Sequence, residues 1–192
     1  MVKRHTYLAI AVILAVFIGG FFLVSGASEL DIIEDNICKK CDPPRANGEV
    51  PEDSNGMKFP VGYRSWKFIT LAKTNLKEFT VTLGNDIAVK AAREMNTRPW
   101  PDGTVLVRVV WKPRKMTTWP NGVTAGDFIQ LNMMVKDAEK YKDTLGWGFA
   151  QWDGMGLNAH ATGKNQAEGC VGCHEPLGAK RDYVFNDPAI LP

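Results

Sequence analysis

The segment Cys170-Val171-Gly172-Cys173-His174 constrains this chain more than any other feature of its sequence. It follows the C-x-x-C-H pattern of c-type haem attachment, in which both cysteines form thioethers with the haem vinyl groups and the histidine ligates the iron. We therefore predict one covalently bound haem c, held by Cys170 and Cys173, with His174 as the proximal iron ligand. A zinc half-site and a redox disulfide are the alternatives to this interpretation.

A second cysteine pair, Cys38 and Cys41, has the same spacing but is followed by Asp42. A second conventional haem would therefore lack its proximal ligand, so a single haem is the better count. In an oxidising compartment the pair most simply forms a local disulfide. Free thiols and a redox role toward a partner are the other interpretations, because a disulfide closing so small a loop is easily reduced.

The N-terminus predicts export. Lys3 and Arg4 precede an apolar stretch of about 18 residues from Tyr7 to Val24, and small residues follow it. Residues 1–27 are therefore a signal peptide or a retained anchor, because the stretch approaches the ~20 residues that a spanning helix needs. The basic end stays cytoplasmic. We expect the rest of the chain on the periplasmic side of a bacterial cytoplasmic membrane, anchored there, or soluble in the periplasm if the leader is cleaved.

Composition sets the remaining bounds. The formal net charge is only +2 and no Lys/Arg run stands beside a row of aromatic residues, which argues against a nucleic-acid partner. Residues 28–58 are rich in acidic residues, Pro, Gly and Asn, which is typical of a tether. With 45% hydrophobic residues the chain can bury a core, and we place the folded domain at residues 59–192.

The first half of this domain predicts two strands and a helix. Short strands are expected over residues 66–72 and 79–83, where strand-forming residues cluster. Asn85 is suited to cap a helix that runs from Ile87 to Met95, and Pro99 ends it.

Two alternating segments follow. In the first, Arg108 lies with Leu106 and Val110 on one face, opposite Val105, Val107, Val109 and Trp111. In the second, Asn132 shares a face with Phe128, Gln130 and Met134, opposite Ile129, Leu131, Met133 and Val135. Met133 and Met134 are expected to pack rather than to ligate iron. A short helix over residues 136–142, an aromatic strand over 147–152 and a Gly-rich loop leading to Cys170 complete the prediction.

Several landmarks stand in a fixed order from Phe59 to Phe185, and together they resemble the cytochrome P460 family. They are Phe59-Pro60-x-x-Tyr63-Arg64-x-Trp66, Pro101-Asp102-Gly103-Thr104, Val135-Lys136-Asp137, Gly146-Trp147-Gly148, the haem motif and Arg181-Asp182-Tyr183-Val184-Phe185. The resemblance implies an α+β fold dominated by an antiparallel sheet with a few helices, one c-type haem near the C-terminus, and in many members a homodimer.

The resemblance also implies two distal-pocket positions. Members that oxidise hydroxylamine link a strand lysine to the porphyrin, and the corresponding residue here is Arg108, whose protonated guanidinium is a poor nucleophile. A pocket carboxylate of those enzymes aligns with Asn132, which cannot act as a general base near neutral pH. Both departures argue against that chemistry, although Arg108 and Asn132 stay candidates for binding or positioning a ligand.

Other relatives, the cytochromes c-prime-beta, lack the cross-link and bind nitric oxide or carbon monoxide beneath aromatic residues. Phe68, Phe79 and Phe128 are the candidates for such a cap. We therefore predict an open haem site that binds or transforms a small nitrogen oxide. The alternatives are a gas sensor or scavenger without turnover, and an electron carrier for a respiratory partner protein in which Met155 or His160 closes the iron.

Overall fold

The computed structural model describes residues 50–74, 78–160 and 165–192, and its centre is a six-stranded antiparallel sheet whose strands follow one another in chain order. The strands are β1 (Lys67–Lys73), β2 (Phe79–Gly84), β3 (Val105–Lys115), β4 (Val123–Lys136), β5 (Trp147–Asp153) and β6 (Asn158–Ala159). The α-helices are α1 (Asp86–Arg93), α2 (Asn165–His174) and α3 (Gly178–Arg181), with 3-10 turns at Tyr63–Ser65, Lys142–Thr144 and Glu175–Leu177. This confirms the α+β prediction for the described residues, and the expected N-terminal helix lies outside them.

Helix α1 forms where the sequence predicts it. The Asn85 side chain accepts a hydrogen bond from Ala88 N at 3.0 Å and donates one to Gly103 O at 2.8 Å. The cap therefore satisfies a free amide of the first turn and ties the helix to the turn before β3. Gly84 lets the helix approach the sheet, since a Cβ atom there would lie 2.7 Å from the Cβ of Ala88.

The sheet carries a different cluster on each face, as the alternation of β3 predicts. On one face, Val107 and Val109 lie beside Leu131 and Trp152. Residues upstream of β1, including Met57 and Phe59, cover this face. The opposite face is covered by the helices and by the C-terminal segment. Its cluster consists of Ile69, Ala88, Val89, Ala91, Trp100, Leu106, Trp147, Phe149 and Tyr183, with Cys170 packed against it.

The predicted face of Phe128 is wrong. Val110 pairs with Gln130, but the next residue of β3, Trp111, pairs with Phe128, so the register shifts by one residue at this point. A bulge of this kind turns the side chains beyond it to the other face. Phe128 therefore packs with the Val107 cluster rather than beside Asn132.

Two connections also differ from prediction. Residues 136–142 do not form a helix, because β4 continues to Lys136 and a turn follows, in which Leu145 and Gly146 adopt φ values of 52° and 82°. The pairing of Lys136 with Trp147 shows how tightly this turn returns the chain to the sheet. The expected loop before Cys170 is partly helical, since α2 begins at Asn165.

The described chain is packed onto the sheet from Val50 onward. Trp152 Nε1 donates a hydrogen bond to Pro51 O at 2.9 Å, and Asn55 Nδ2 donates one to Phe149 O at 3.0 Å. Within the described residues no helix is long and apolar enough to cross a membrane. The predicted leader at residues 1–27 and the Cys38/Cys41 pair lie outside these residues.

Candidate functional site

Helix α2 brings the cysteine–histidine motif to one place on the sheet. Cys170, Cys173 and His174 stand at positions i, i+3 and i+4, which share one side of a helix, and α2 packs against β5. Cys170 and His174 are half-buried, whereas Cys173 is exposed, and the two cysteines are not joined by a disulfide. Burial raises the pKa of the Cys170 thiol, and the neighbouring Cys173 adds to the shift.

His174 is oriented by the segment that follows it. Its Nδ1 lies 2.6 Å from Tyr183 O, and because a carbonyl oxygen only accepts, Nδ1 carries the proton. Phe149 and Phe185 flank the ring, with centroids 5.0 and 4.8 Å from the imidazole centroid. Burial lowers the pKa of His174, and the Arg108 charge lowers it further, against the opposing effect of the Tyr183 hydrogen bond. A neutral imidazole with Nε2 left for a metal follows from this arrangement.

His174 and Cys170 line a cavity between the sheet and the C-terminal segment. Its wall is mainly apolar, with a few polar side chains, which is typical of sites for a small molecule or a cofactor. The lining residues are Ile69, Thr70, Thr82, Trp100, Leu106, Arg108, Asn132, Met133, Met134, Phe149, Ala150, Cys170, His174, Val184, Phe185 and Asn186. The structure thus places the two predicted distal residues, Arg108 and Asn132, in the same cavity as His174.

Arg108 and Asn132 are held by neighbours on the same face of the sheet. Arg108 Nη1 donates to Asn132 Oδ1 at 3.2 Å, and Arg108 Nη2 pairs with Glu78 Oε2 at 3.3 Å. Asn132 Oδ1 also accepts from Gln130 Nε2 at 3.1 Å, while Asn132 Nδ2 donates to Gln151 Oε1 at 2.8 Å. The guanidinium is therefore oriented at the cavity wall, and its side chain keeps 34% exposure. Such a group presents fixed N–H donors and a positive charge to a ligand.

The aromatic residues of the cavity are not those proposed from the sequence. Phe68 lines a separate groove against α1 and the C-terminal tail, and neither Phe79 nor Phe128 is among the described residues that line the His174 cavity. Phe149 and Phe185 take that place. Phe149 could have been assigned from the alternation of β5, but no local pattern predicts that Phe185 folds back onto His174.

The residues proposed as a sixth iron ligand do not line the cavity. Met155 is exposed, and His160, half-exposed, contacts Asp153 through Nδ1 and lies 2.9 Å from Gln151 Nε2. Neither belongs to the described lining. Met133 and Met134 do line it, and both also pack into the apolar clusters. Among the described residues there is no group of three or more His, Cys, Asp or Glu side chains that could hold a metal ion such as zinc.

Comparison with known proteins identifies a family over most of this domain. The family model described as Cytochrome P460 matches residues 60–186, which include all six described strands, the residues that line the cavity and the cysteine–histidine motif. No curated protein sequence matches the chain.

Proposed function

Because the chain belongs to the cytochrome P460 family, which implies a haem cofactor, we propose that it is a mono-haem c-type cytochrome whose iron binds or transforms a small nitrogen oxide. The expected ligands are nitric oxide and hydroxylamine. The observation that carries the proposal is that Arg108 and Asn132 line the same cavity as His174 and Cys170. A metal-ligating residue and oriented polar donors therefore meet in one largely apolar space.

The residues present fit a covalently attached haem. Cys170 and Cys173 would form the thioethers, and His174 would ligate the iron through Nε2, since Tyr183 O engages its Nδ1. Apolar and aromatic side chains such as Leu106, Phe149 and Phe185 would contact the porphyrin and exclude water from it. The haem supplies redox chemistry and a ligand position at the iron.

Arg108 would bind and orient the ligand rather than act as a base. Its guanidinium stays protonated, and its contacts with Glu78 and Asn132 hold its direction. Asn132 adds an amide group but cannot accept a proton near neutral pH. The cavity is thus suited to a polar or anionic ligand such as nitrite, and not to hydroxylamine oxidation by way of a lysine cross-link.

An open iron position is supported over the electron-carrier alternative by the placement of Met155 and His160. An electron carrier with a six-coordinate iron would need Met155, His160 or another side chain as the second axial ligand. His160 instead contacts Asp153 and Gln151, and Met155 is exposed. A sensor or scavenger would use the same open site without turnover. We extend the proposal to a periplasmic location, with the N-terminal segment as leader or membrane tether and a redox protein as partner.

The charge of Arg108 provides the test of this proposal. Arg108→Gln is expected to weaken nitrite binding to the ferric protein roughly 10- to 100-fold, since a hydrogen bond to a charged group contributes about 1.5–3 kcal/mol. Optical titration of the purified haem protein measures the dissociation constant. Carbon monoxide binding to the ferrous protein should change much less, because that ligand is neutral and a weak acceptor.

Arg114→Gln is the matched control, because Arg114 lies exposed on the same strand, β3, outside the lining of the cavity. It removes the same charge and should leave nitrite affinity unchanged. Unaltered affinity in the Arg108 variant, or an equal loss in both variants, would show that Arg108 does not contact the ligand.

A further inference from the structure

A buried ion pair includes Asp182, the residue before Tyr183, whose carbonyl oxygen contacts His174. Lys136 Nζ and Asp182 Oδ1 are 2.7 Å apart, and their side chains are 6% and 4% exposed. The second carboxylate oxygen, Oδ2, accepts a hydrogen bond from Trp100 N at 2.8 Å. Asp182 is thereby fixed both to the end of β4 and to the segment before β3.

Lys136 is itself held at several points. Its Nζ donates to Leu145 O at 2.6 Å and lies 4.9 Å from the centroid of the Trp147 ring. Its backbone N donates to Thr104 O at 2.8 Å, and its O accepts from Gly103 N at 2.9 Å. These contacts hold the ammonium group beside the Asp182 carboxylate.

The turn that Asp182 anchors is unusual. Asp182 and Tyr183 both have positive φ, 46° and 59°, a conformation that costs energy for residues other than glycine. Two successive residues keep it only when the surrounding contacts impose it. The consequence is that Tyr183 O points at His174 Nδ1, the contact of 2.6 Å described above.

We propose that Lys136 and Asp182 are positioning residues that set the hydrogen bond from His174 to Tyr183 O, and through it the strength of the iron–histidine bond. This inference rests on the proposed function. A buried ion pair is weak evidence for stability, since a well-packed apolar pair often serves as well. A hydrogen bond at the far nitrogen of a ligating histidine, by contrast, fixes the ring and raises its basicity.

Asp182→Asn is the variant of choice, because asparagine tolerates positive φ and keeps the size of the side chain. Its amide offers one acceptor oxygen, so it cannot serve both the Lys136 and the Trp100 donors. We expect the iron–histidine stretching band of the ferrous haem protein to move to lower frequency in resonance Raman spectra. The reduction potential should rise, because a less basic imidazole stabilises ferric iron less.

Asp143→Asn is the control, since Asp143 is an exposed carboxylate close to Leu145. It should leave both the band and the potential unchanged. If Asp182→Asn fails to accumulate, the double variant Lys136→Met with Asp182→Asn removes both charges and leaves no buried charge unpaired. The same shift is expected of it.

The outcomes separate the inference from the function on which it rests. An unshifted band and potential in either Asp182 variant, even with a lower melting temperature, would show that the pair only stabilises the fold. A wild-type protein without an iron–histidine band would overturn the proposed function and this inference together.

Discussion

Replacing Cys170 and Cys173 together by alanine is expected to abolish covalent haem attachment. The wild-type protein, produced with a c-type maturation system, should gain the mass of one haem and keep it during acid–acetone extraction. The double variant should show only the polypeptide mass, because the remaining pair, Cys38 and Cys41, is followed by Asp42 and has no histidine to ligate the iron. Intact-mass spectrometry and a haem-stained denaturing gel measure the difference.

The chain contains its own control for this experiment. Cys38 and Cys41 have the same spacing but no histidine after them, so the variant with both replaced by alanine should retain one covalent haem. Loss of haem from that variant, or a wild-type mass with two haems, would contradict the assignment of a single site to α2. Retention of covalent haem without Cys170 and Cys173 would contradict it outright.

Trp152→Ala is expected to lower the free energy of unfolding by about 3–5 kcal/mol, the range for truncating a buried aromatic side chain. Trp152 is fully buried, its Nε1 donates to Pro51 O at 2.9 Å, and its ring meets that of Phe59 edge-on at 5.2 Å. The substitution therefore opens a cavity and releases the segment upstream of β1. Equilibrium denaturation of the haem-loaded protein, followed by circular dichroism, gives the free energy.

Trp119→Ala serves as the comparison, because Trp119 is 62% exposed in the connection between β3 and β4. Surface substitutions of this kind stay within about 0.5 kcal/mol of wild type. Trp152 lies outside the lining of the His174 cavity, so the haem absorption of its variant should be normal before unfolding. A loss below about 1 kcal/mol would mean that this face of the sheet is not the core that the burial of Trp152 indicates.

Local patterns predicted much of this fold. Asn85 predicts the start of α1 because capping depends on a few adjacent residues. The sequence of β3 predicts its two faces because side chains alternate along a strand. The motif at Cys170 is equally local, since its two cysteines and its histidine stand within five consecutive residues. Alternation separates Arg108 from the valine face of its strand, but only the family resemblance placed Arg108 and Asn132 in one pocket. The two residues pair across β3 and β4.

Features that depend on distant contacts could not be predicted. The bulge opposite Trp111 moves Phe128 to the other face, yet no residue in the sequence marks it. Phe185 packs against His174 after the left-handed turn at Asp182, and Asp182 pairs with Lys136, 46 residues earlier. Lys136, Asp182 and Phe185 belong to the landmarks of the family resemblance, but the sequence does not show which residues they contact.

Optical and electron paramagnetic resonance spectra of the purified haem protein, ferric and ferrous, with and without nitric oxide, test the central claim most directly. An open site between His174 and the Arg108 side of the cavity predicts high-spin ferric iron and spectra that change when nitric oxide is added. Low-spin iron in both oxidation states, with spectra indifferent to nitric oxide, would contradict the open site and identify the protein as an electron carrier.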